Sequence, residues 1–109
     1  MAIAVKTIVM KEPARFDAYL FDTLMPDLVG HDRQPSAFLV YLYLAHRVTR
    51  ARARSVRVSL AAIAADTGLS KTAVQRGLRT LTRRRLLRAV KASRTAVPEY
   101  TVLRPWGRR

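Results

Sequence analysis

The sequence has 109 residues, no cysteine, a formal net charge of +14 and a pI near 11.6. Half of its residues are hydrophobic, which excludes a disordered tail and favours one domain with a modest core. The absence of cysteine excludes disulfides, thiolate metal sites and thiol redox chemistry. The sequence shows neither an apolar stretch of membrane-spanning length nor the pattern of a signal peptide. We therefore expect a soluble, cytoplasmic protein.

The positive charge is confined to one part of the chain. Residues 1–32 carry a net charge of −2, whereas residues 33–109 carry +16 and contain only two acids, Asp66 and Glu99. A genome with a high arginine content could explain the many arginines, but it would not explain why residues 33–109 contain so few acids. This distribution is typical of a nucleic-acid-binding surface.

The N-terminal region alternates between apolar and acidic positions. Residues 2–9 are compatible with either a short strand or a loose arm. Phe16, Tyr19, Leu20 and Leu24 recur at helical spacing and predict a helix over 14–25 that ends before Pro26. The following segment, 27–34, contains Gly30 and precedes a proline, which predicts a loop.

A second helix is predicted from Ser36, as its N-cap, to about Arg50. Its side chains are apolar nearly all round, so one side fills the core and the other needs cover. That cover is either the N-terminal helix or a second chain, and the latter predicts a homodimer through residues 14–25 and 36–46. Tyr41 and Tyr43 need hydrogen-bond partners for their hydroxyls.

An arginine-rich stretch follows. Its members are Arg47, Arg50, Arg52, Arg54 and Arg57. In an extended loop the three at 50, 52 and 54 would lie on one side, and the run is read equally as phosphate contacts or as a solvated connector. Val56 and Val58 flank Arg57 as in a strand with two different faces.

The segment from Ser59 to Leu87 contains two apolar-periodic runs around a short turn, residues 66–69. Ser59 and Ser70 stand where each run needs an N-cap. Gly68 stands where a positive φ ends the first helix at least cost. Leu60, Ile63 and Ala64 form the core face of that helix. The turn allows only two steeply crossing helices, which is a helix-turn-helix.

The second of these helices, Lys71 to about Arg84, has an apolar stripe of Val74, Leu78 and Leu81. Its other face is cationic, and no acid occurs between Lys71 and Glu99. Unpartnered cations imply an anionic partner, and a helix of this kind fits the DNA major groove. The residues predicted to read bases are Gln75, Arg76 and Arg79.

Two strands, Leu86 to Lys91 and Tyr100 to Leu103, follow that helix, and residues 92–98 connect them as a hairpin with a basic tip. The residues predicted to contact phosphates along the helix and hairpin are Lys71, Thr72, Arg83, Arg84, Arg88, Lys91 and Arg94. Trp106 is interpreted as packing on the first helix, with stacking on a base as the alternative.

The string TGLSKTAVQRGLRTL, followed by RRRLL and PEYTVLRPW, resembles the winged helix-turn-helix domains of bacterial DNA-binding proteins. That set holds the MarR and GntR regulators and the DNA-binding domains of phage and plasmid replication proteins. The resemblance covers about residues 36–106 and implies that Gly68, Leu69 and Ser70 make the turn before the reading helix. It also implies that the hairpin is a wing along the DNA backbone or minor groove. The family usually has glycine where Arg85 stands.

The sequence thus predicts a mostly α fold with a small antiparallel β-hairpin, a winged helix-turn-helix. Residues 1–35 would form an N-terminal arm and helix for packing or dimerisation, and residues 36–109 the winged helix-turn-helix domain. We expect a non-catalytic protein that binds double-stranded DNA, as a sequence-specific transcription regulator. The alternatives are a component of phage or plasmid replication or partition, and a winged helix that binds RNA or protein.

Metal and cofactor sites are not expected. His31 and His46 lie fifteen residues apart without further ligands at suitable spacing. Asp22, Asp27 and Asp32 recur every fifth residue, which does not hold one face of an α-helix. Gly77, inside the reading helix, predicts close approach of the preceding helix rather than catalysis.

Overall fold

The computed structural model describes residues 13–107, so the strand or arm predicted over 2–9 lies outside the described residues. Its elements are two π-helical segments, Leu20–Leu24 and Pro26–His31, then α1 (Pro35–Ala51), β1 (Ser55–Arg57), α2 (Leu60–Thr67), α3 (Lys71–Arg83), β2 (Leu87–Val90) and β3 (Glu99–Val102). The strands form one antiparallel sheet in the order β1-β3-β2. The predicted winged helix-turn-helix fold is confirmed, with β1 as a third strand beside the predicted hairpin. Among residues 13–107, no helix combines the length and hydropathy needed to cross a bilayer.

The N-terminal region differs from the prediction in two respects. Regular helical structure begins at Leu20 rather than near Ala14, and it continues past Pro26 to His31, where a loop was predicted. Proline is tolerated here because it stands in the first turn of the second π-helical segment, where a missing N–H costs little. Leu20, Leu24 and Leu28 are all buried, and their burial on one face favours a helical path across Pro26.

The start of α1 also corrects a predicted cap. Ser36 lies inside the first turn, and Gln34 takes the N-cap position without a side-chain hydrogen bond. Pro35 is the first helical residue, and its fixed φ and absent N–H suit that position. The helix therefore begins with proline rather than with a serine cap.

Two helices end on an arginine in the left-handed region. Arg52 after α1 has φ 55° and Arg85 after α3 has φ 59°. At the second site the N–H groups of Arg85 and Leu86 donate to the carbonyls of Thr82 and Leu81, which is the Schellman pattern usually formed by glycine. A non-glycine residue costs about 1–2 kcal/mol in this region. Arg85 thus ends α3 where the resembled family usually has glycine.

The core is centred on α1. Val40, Tyr41 and Leu44 are fully buried and belong to one cluster that includes residues of the π-helical segments, α2, α3 and the sheet. The Tyr41 hydroxyl donates to the Leu103 carbonyl at 2.8 Å, and burial raises the pKa of Tyr41, so it remains a neutral donor. The predicted need for a partner is confirmed at this tyrosine.

A polar chain ties α1 to the end of α2. The Tyr43 hydroxyl donates to the Asp66 carboxylate at 2.6 Å, and Arg47 Nη1 donates to the same hydroxyl oxygen at 2.7 Å. Burial and the hydrogen bond to Asp66 raise the pKa of Tyr43. The second tyrosine is therefore satisfied as well, and α2 is held at its C-terminal turn.

Gly77 permits a close helix crossing, but with a different partner from the predicted one. A Cβ atom at Gly77 would lie 3.2 Å from the Cα of Ala37 and 3.3 Å from the carbonyl oxygen of Ser36. Both residues belong to the first turn of α1, so the expectation that α2 approaches this glycine is wrong. The spacing of Gly77 within its own helix carries no information about which neighbour crosses it.

The C-terminal segment packs back onto the N-terminal region. The Trp106 ring stacks on Tyr19 with centroids 4.5 Å apart, and its Nε1 donates to Asp17 at 3.0 Å. Arg104 forms an ion pair with the same carboxylate at 3.0 Å. The packing interpretation of Trp106 is therefore confirmed.

Candidate nucleic-acid interface

The turn between α2 and α3 is built from the residues that predicted it. The Ser59 hydroxyl oxygen accepts from the N–H of Ala62 at 3.0 Å, and that of Ser70 accepts from Ala73 at 3.0 Å. Gly68 ends α2 with φ 82°, a conformation that glycine adopts without steric cost. Both caps and the turn are confirmed, and together they fix where α3 begins.

The apolar and cationic faces of α3 separate as predicted. Val74 and Leu81 of the predicted stripe are buried with Gly77 and Thr80, and Leu78 is half-buried against the core, whereas the opposite face is open to solvent. The exposed polar residues of that face are Lys71, Thr72, Gln75, Arg76, Arg79, Thr82 and Arg83. Within residues 13–107, no carboxylate lies within 4.0 Å of the cations among them. The face is thus a positive, solvent-open ridge without internal neutralisation.

The three residues predicted to read bases lie together on this ridge. Gln75, Arg76 and Arg79 follow each other at one- to four-residue spacing and are all exposed. At a rise of 1.5 Å per residue, Gln75 and Arg79 are about 6 Å apart along the helix axis. Side chains this close together can reach base edges within one stretch of the major groove.

The hairpin after α3 places a second set of cations at the surface. Arg88 is exposed on β2, opposite Thr101 of β3 in the sheet register. Lys91 Nζ donates to the Arg94 carbonyl at 3.1 Å across the wing loop, and the Arg94 side chain is exposed. The wing therefore presents cations from both its strand and its tip.

Arg84 has a different environment from the other predicted phosphate contacts. Its guanidinium donates to the carboxylates of Asp27 and Asp32, and about 30% of its side chain is exposed. The hydrogen bond to Asp27, with a further contribution from Asp32, raises the pKa of Arg84. These two carboxylates neutralise the guanidinium charge, so the prediction that Arg84 contacts phosphate is withdrawn.

Of the partners of Arg84, Asp27 lies in the second π-helical segment and Asp32 is its C-cap residue. The i→i+5 pattern of this segment, seen in the bond from the Asp32 N–H to the Asp27 carbonyl at 2.9 Å, brings residues five apart to the same side. A loop was predicted over 27–34, and the five-residue spacing of the aspartates was compared only with an α-helix. Both are wrong for this segment, because it is π-helical and Asp27 and Asp32 meet the same guanidinium.

Asp27, His31 and Asp32 offer ligand atoms within 4.8 Å of one another. The His31 Nδ1 lies 3.1 Å from Asp32, and this hydrogen bond is the largest cause of the lowered pKa of Asp32, which burial opposes and Arg84 reinforces. Both carboxylates are bound by the Arg84 guanidinium. We assign the cluster to an ion-pair network that anchors the end of α3.

We expect Arg84→Ala to lower the free energy of unfolding by about 1–2 kcal/mol at pH 7, because two adjacent carboxylates lose their shared cation. The neighbouring variant Arg83→Ala should change stability by less than about 0.5 kcal/mol, because Arg83 is exposed. Urea denaturation measures both values. For DNA binding we expect the opposite ranking of the two variants. The slope of log affinity against log salt should become smaller for Arg83→Ala and stay unchanged for Arg84→Ala.

The pH dependence provides a control for this ion-pair network. A lowered folded pKa of Asp32 means that its stabilisation is present above the ordinary aspartate range and is lost as the pH falls through the folded value. The stability difference between the unmodified protein and Arg84→Ala should therefore shrink below about pH 4. A difference that is constant down to pH 2 would contradict the ion-pair assignment.

The arginine-rich stretch after α1 is not one extended loop. Arg50 belongs to the last turn of α1, Arg52 is in the left-handed region, and Arg57 lies in β1 opposite Glu99. The expected alignment of the arginines at 50, 52 and 54 on one side of an extended loop is therefore wrong. At the end of α1 the N–H groups of Arg52 and Ala53 donate to the carbonyls of Thr49 and Val48, a second Schellman pattern, and this turns the chain within the stretch.

Comparison with known proteins identifies the helix-turn-helix independently. Residues 44–91 match the sequence profile of the IclR helix-turn-helix domain, which is 48 of 109 residues. The matched range runs from the middle of α1 through α2 and α3 to the end of β2. The match is to a family other than the MarR and GntR regulators, so the finer resemblance remains a prediction.

One similar solved structure is the crystal structure of the AntR antimony-specific transcriptional repressor, at 21% sequence identity and a TM-score of 0.47. The alignment covers 96% of this chain and 84% of that chain. The comparison with curated proteins finds no match. The match to this helix-turn-helix profile and the exposed cationic face of α3 point to the same class. Together they support the conclusion that the chain is a DNA-binding protein of the transcription-regulator class.

Proposed function

We propose that this protein regulates transcription by binding specific sequences of double-stranded DNA, with α3 in the major groove. The observation that carries the proposal is the exposed cationic face of α3, which has no carboxylate partner within residues 13–107. Such a face is electrostatically incomplete without a polyanion. The match to a regulator-type helix-turn-helix favours regulation over replication or partition.

The roles of the α3 side chains follow from their chemistry. Arg76 and Arg79 carry the forked donors that match O6 and N7 of guanine, and the Gln75 amide matches N6 and N7 of adenine. Lys71 and Thr72 lie in the first turn, where free N–H groups and the helix dipole also favour a phosphate. Contacts of the first kind would select sequence, and contacts of the second kind would set the position of the helix.

The wing and the last turn of α3 would add sequence-independent affinity. Arg83, Arg88, Lys91 and Arg94 are exposed cations beyond the reading residues. Each phosphate that they neutralise releases about one counterion, which makes binding dependent on salt. Arg84 is excluded from this set because it already binds two aspartates.

We also propose a homodimer through residues 14–25 and 36–46. Phe21, Met25 and Leu39 are exposed by 42%, 39% and 44%, although all are large and apolar, and burying them in a second copy would remove apolar surface from water. A two-fold dimer would present two copies of α3 about 34 Å apart, one turn of DNA. The dimer and the reading role of α3 are separate proposals.

Selection of bound fragments from a random duplex pool tests both. We expect enrichment of one sequence, arranged as an inverted repeat with half-sites about 10 base pairs apart, and tighter binding to it than to structured RNA at equal salt. Light scattering should give twice the chain mass of 12.3 kDa. A monomer that still enriches a sequence would remove only the dimer. Preference for RNA, or no enrichment, would remove the DNA-reading role.

A further inference from the structure

A basic cavity lies at the end of the sheet opposite the wing loop. It has a volume of about 750 Å³ and is lined by the last turns of α1, the start of β2, the end of β3 and the segment that follows. Four arginines surround it, Arg54, Arg85, Arg88 and Arg104. The rest of its wall combines the threonines Thr49 and Thr101 with apolar side chains, among them Val48, Val102 and Pro105. The cavity thus joins a cationic rim to a partly apolar surface.

The charges around this cavity do not cancel. Arg104 is paired with Asp17, but within the described residues Arg54, Arg85 and Arg88 have no carboxylate within 4.0 Å. The C-termini of α1 and α3 contribute about −0.5 charge each. Four cations against one carboxylate and two helix ends leave roughly two positive charges. An anionic ligand would complete the site.

The backbone beneath the arginines is held by hydrogen bonds. The N–H of Val102 donates to the Arg54 carbonyl at 3.1 Å, and the N–H of Leu103 donates to the Leu86 carbonyl at 3.0 Å. Arg85 keeps a left-handed conformation at φ 59°, where glycine would be less strained. Residues held in a strained backbone conformation cluster at functional sites, so the side chain of Arg85 is a candidate for ligand contact.

We infer that this cavity binds a small organic phosphate. Its phosphate groups would lie between Arg54, Arg85 and Arg88, because guanidinium groups bind phosphate oxygens bidentately. Its apolar part would rest on Val48, Val102 and Pro105. The volume lies within the range of about 300–1,000 Å³ found for small-molecule pockets.

The location favours a small ligand over the DNA backbone. The cavity follows the C-terminal end of α3, whereas the proposed base-reading residues lie between Gln75 and Arg79. It also lies where β2 begins and β3 ends, whereas the wing loop connects their other ends. The ligand site therefore shares no residue with the proposed base-reading set and only Arg88 with the proposed phosphate contacts.

The chain contains a reporter next to this cavity. Trp106 is the sole tryptophan, stands between two lining residues, Pro105 and Gly107, and stacks on Tyr19. We would titrate the full chain without DNA, at constant ionic strength, with ATP, pyrophosphate and adenosine. Tryptophan fluorescence and isothermal titration calorimetry should show saturable binding of ATP, weaker saturable binding of pyrophosphate, and no binding of adenosine.

Two variants distinguish ligand binding in the cavity from non-specific attraction of an anion to a basic protein. Arg54→Ala combined with Arg85→Gly removes two rim cations, and glycine relieves the left-handed strain, so the fold should be retained. We expect this double variant to weaken ATP binding at least about tenfold. Arg94→Ala, which removes one cation from the wing loop, should leave ATP binding unchanged. A circular dichroism melt verifies folding of both.

Three outcomes would overturn the inference. The first is a fluorescence change that added chloride or sulfate reproduces without saturation. The second is unchanged ATP binding by the folded double variant. The third is no saturable binding of ATP by the unmodified chain; if the double variant then also loses affinity for random duplex DNA, the arginines of the cavity belong to the DNA-backbone contacts. Because the titration contains no DNA, its result is independent of whether α3 reads a sequence.

Discussion

Arg76→Ala is expected to reduce affinity for the selected DNA site by about 5- to 150-fold, which corresponds to about 1–3 kcal/mol for one bidentate base contact. Arg76 is exposed on α3 and has no carboxylate partner within residues 13–107, so its removal should not disturb the fold. Affinity for random duplex should fall far less. Competitive gel shifts with selected and random duplex at fixed salt measure the ratio.

Arg94→Ala is the matched control for this loss of discrimination. Arg94 is an exposed cation in the wing loop, so its alanine variant should weaken specific and random binding by the same factor. The slope of log affinity against log salt should become smaller by about 0.9 for one lost phosphate contact. If Arg76→Ala and Arg94→Ala had equal effects on both duplexes, the division into base-reading and phosphate residues would be wrong.

Gly77→Val is expected to lower the free energy of unfolding by about 3 kcal/mol. A Cβ atom there meets the backbone of Ala37 and Ser36 at 3.2–3.3 Å, and backbone atoms in a helix turn cannot rotate away as a side chain can. Valine would add two methyl groups to this contact, so α3 must shift relative to α1. Urea denaturation measures the loss, and DNA affinity should fall with it because α3 is displaced.

Gly30→Ala is the glycine control. A Cβ atom at Gly30 has no neighbour within 4 Å, and the residue lies in the second π-helical segment. Alanine should therefore be neutral or stabilise the protein by up to about 1 kcal/mol, since it restricts the unfolded chain more than glycine does. A loss below about 1 kcal/mol for Gly77→Val would show that α1 can move away at little cost.

The ion pairs of Arg84 explain why charge counting overestimates the interface. Arg83 and Arg84 are adjacent and chemically identical, yet the first is exposed and the second binds Asp27 and Asp32. The partners are more than fifty residues away in the chain. Spacing within α3 identifies a cationic face, but it does not show which cation on the border of that face has an acidic neighbour.

Local rules were sufficient for the helix-turn-helix. Ser59, Ser70 and Gly68 act within one helical turn of their own positions, so caps and turn were predictable without knowledge of the rest of the chain. The buried stripe of Val74 and Leu81 follows from helical periodicity in the same way. The cationic side of α3 was predictable because it is the complement of that stripe.

Tertiary structure alone decided what depends on distant neighbours. The chain continues past Pro26 as a π-helix, because the burial of Leu28 outweighs the tendency of proline to end a helix. Tertiary structure also placed the first turn of α1, and not α2, against Gly77, and it gathered arginines from three separate segments around one cavity. Sequence patterns describe which face an element turns inward, whereas the identity of the residue that meets it is set by long-range packing of the whole chain.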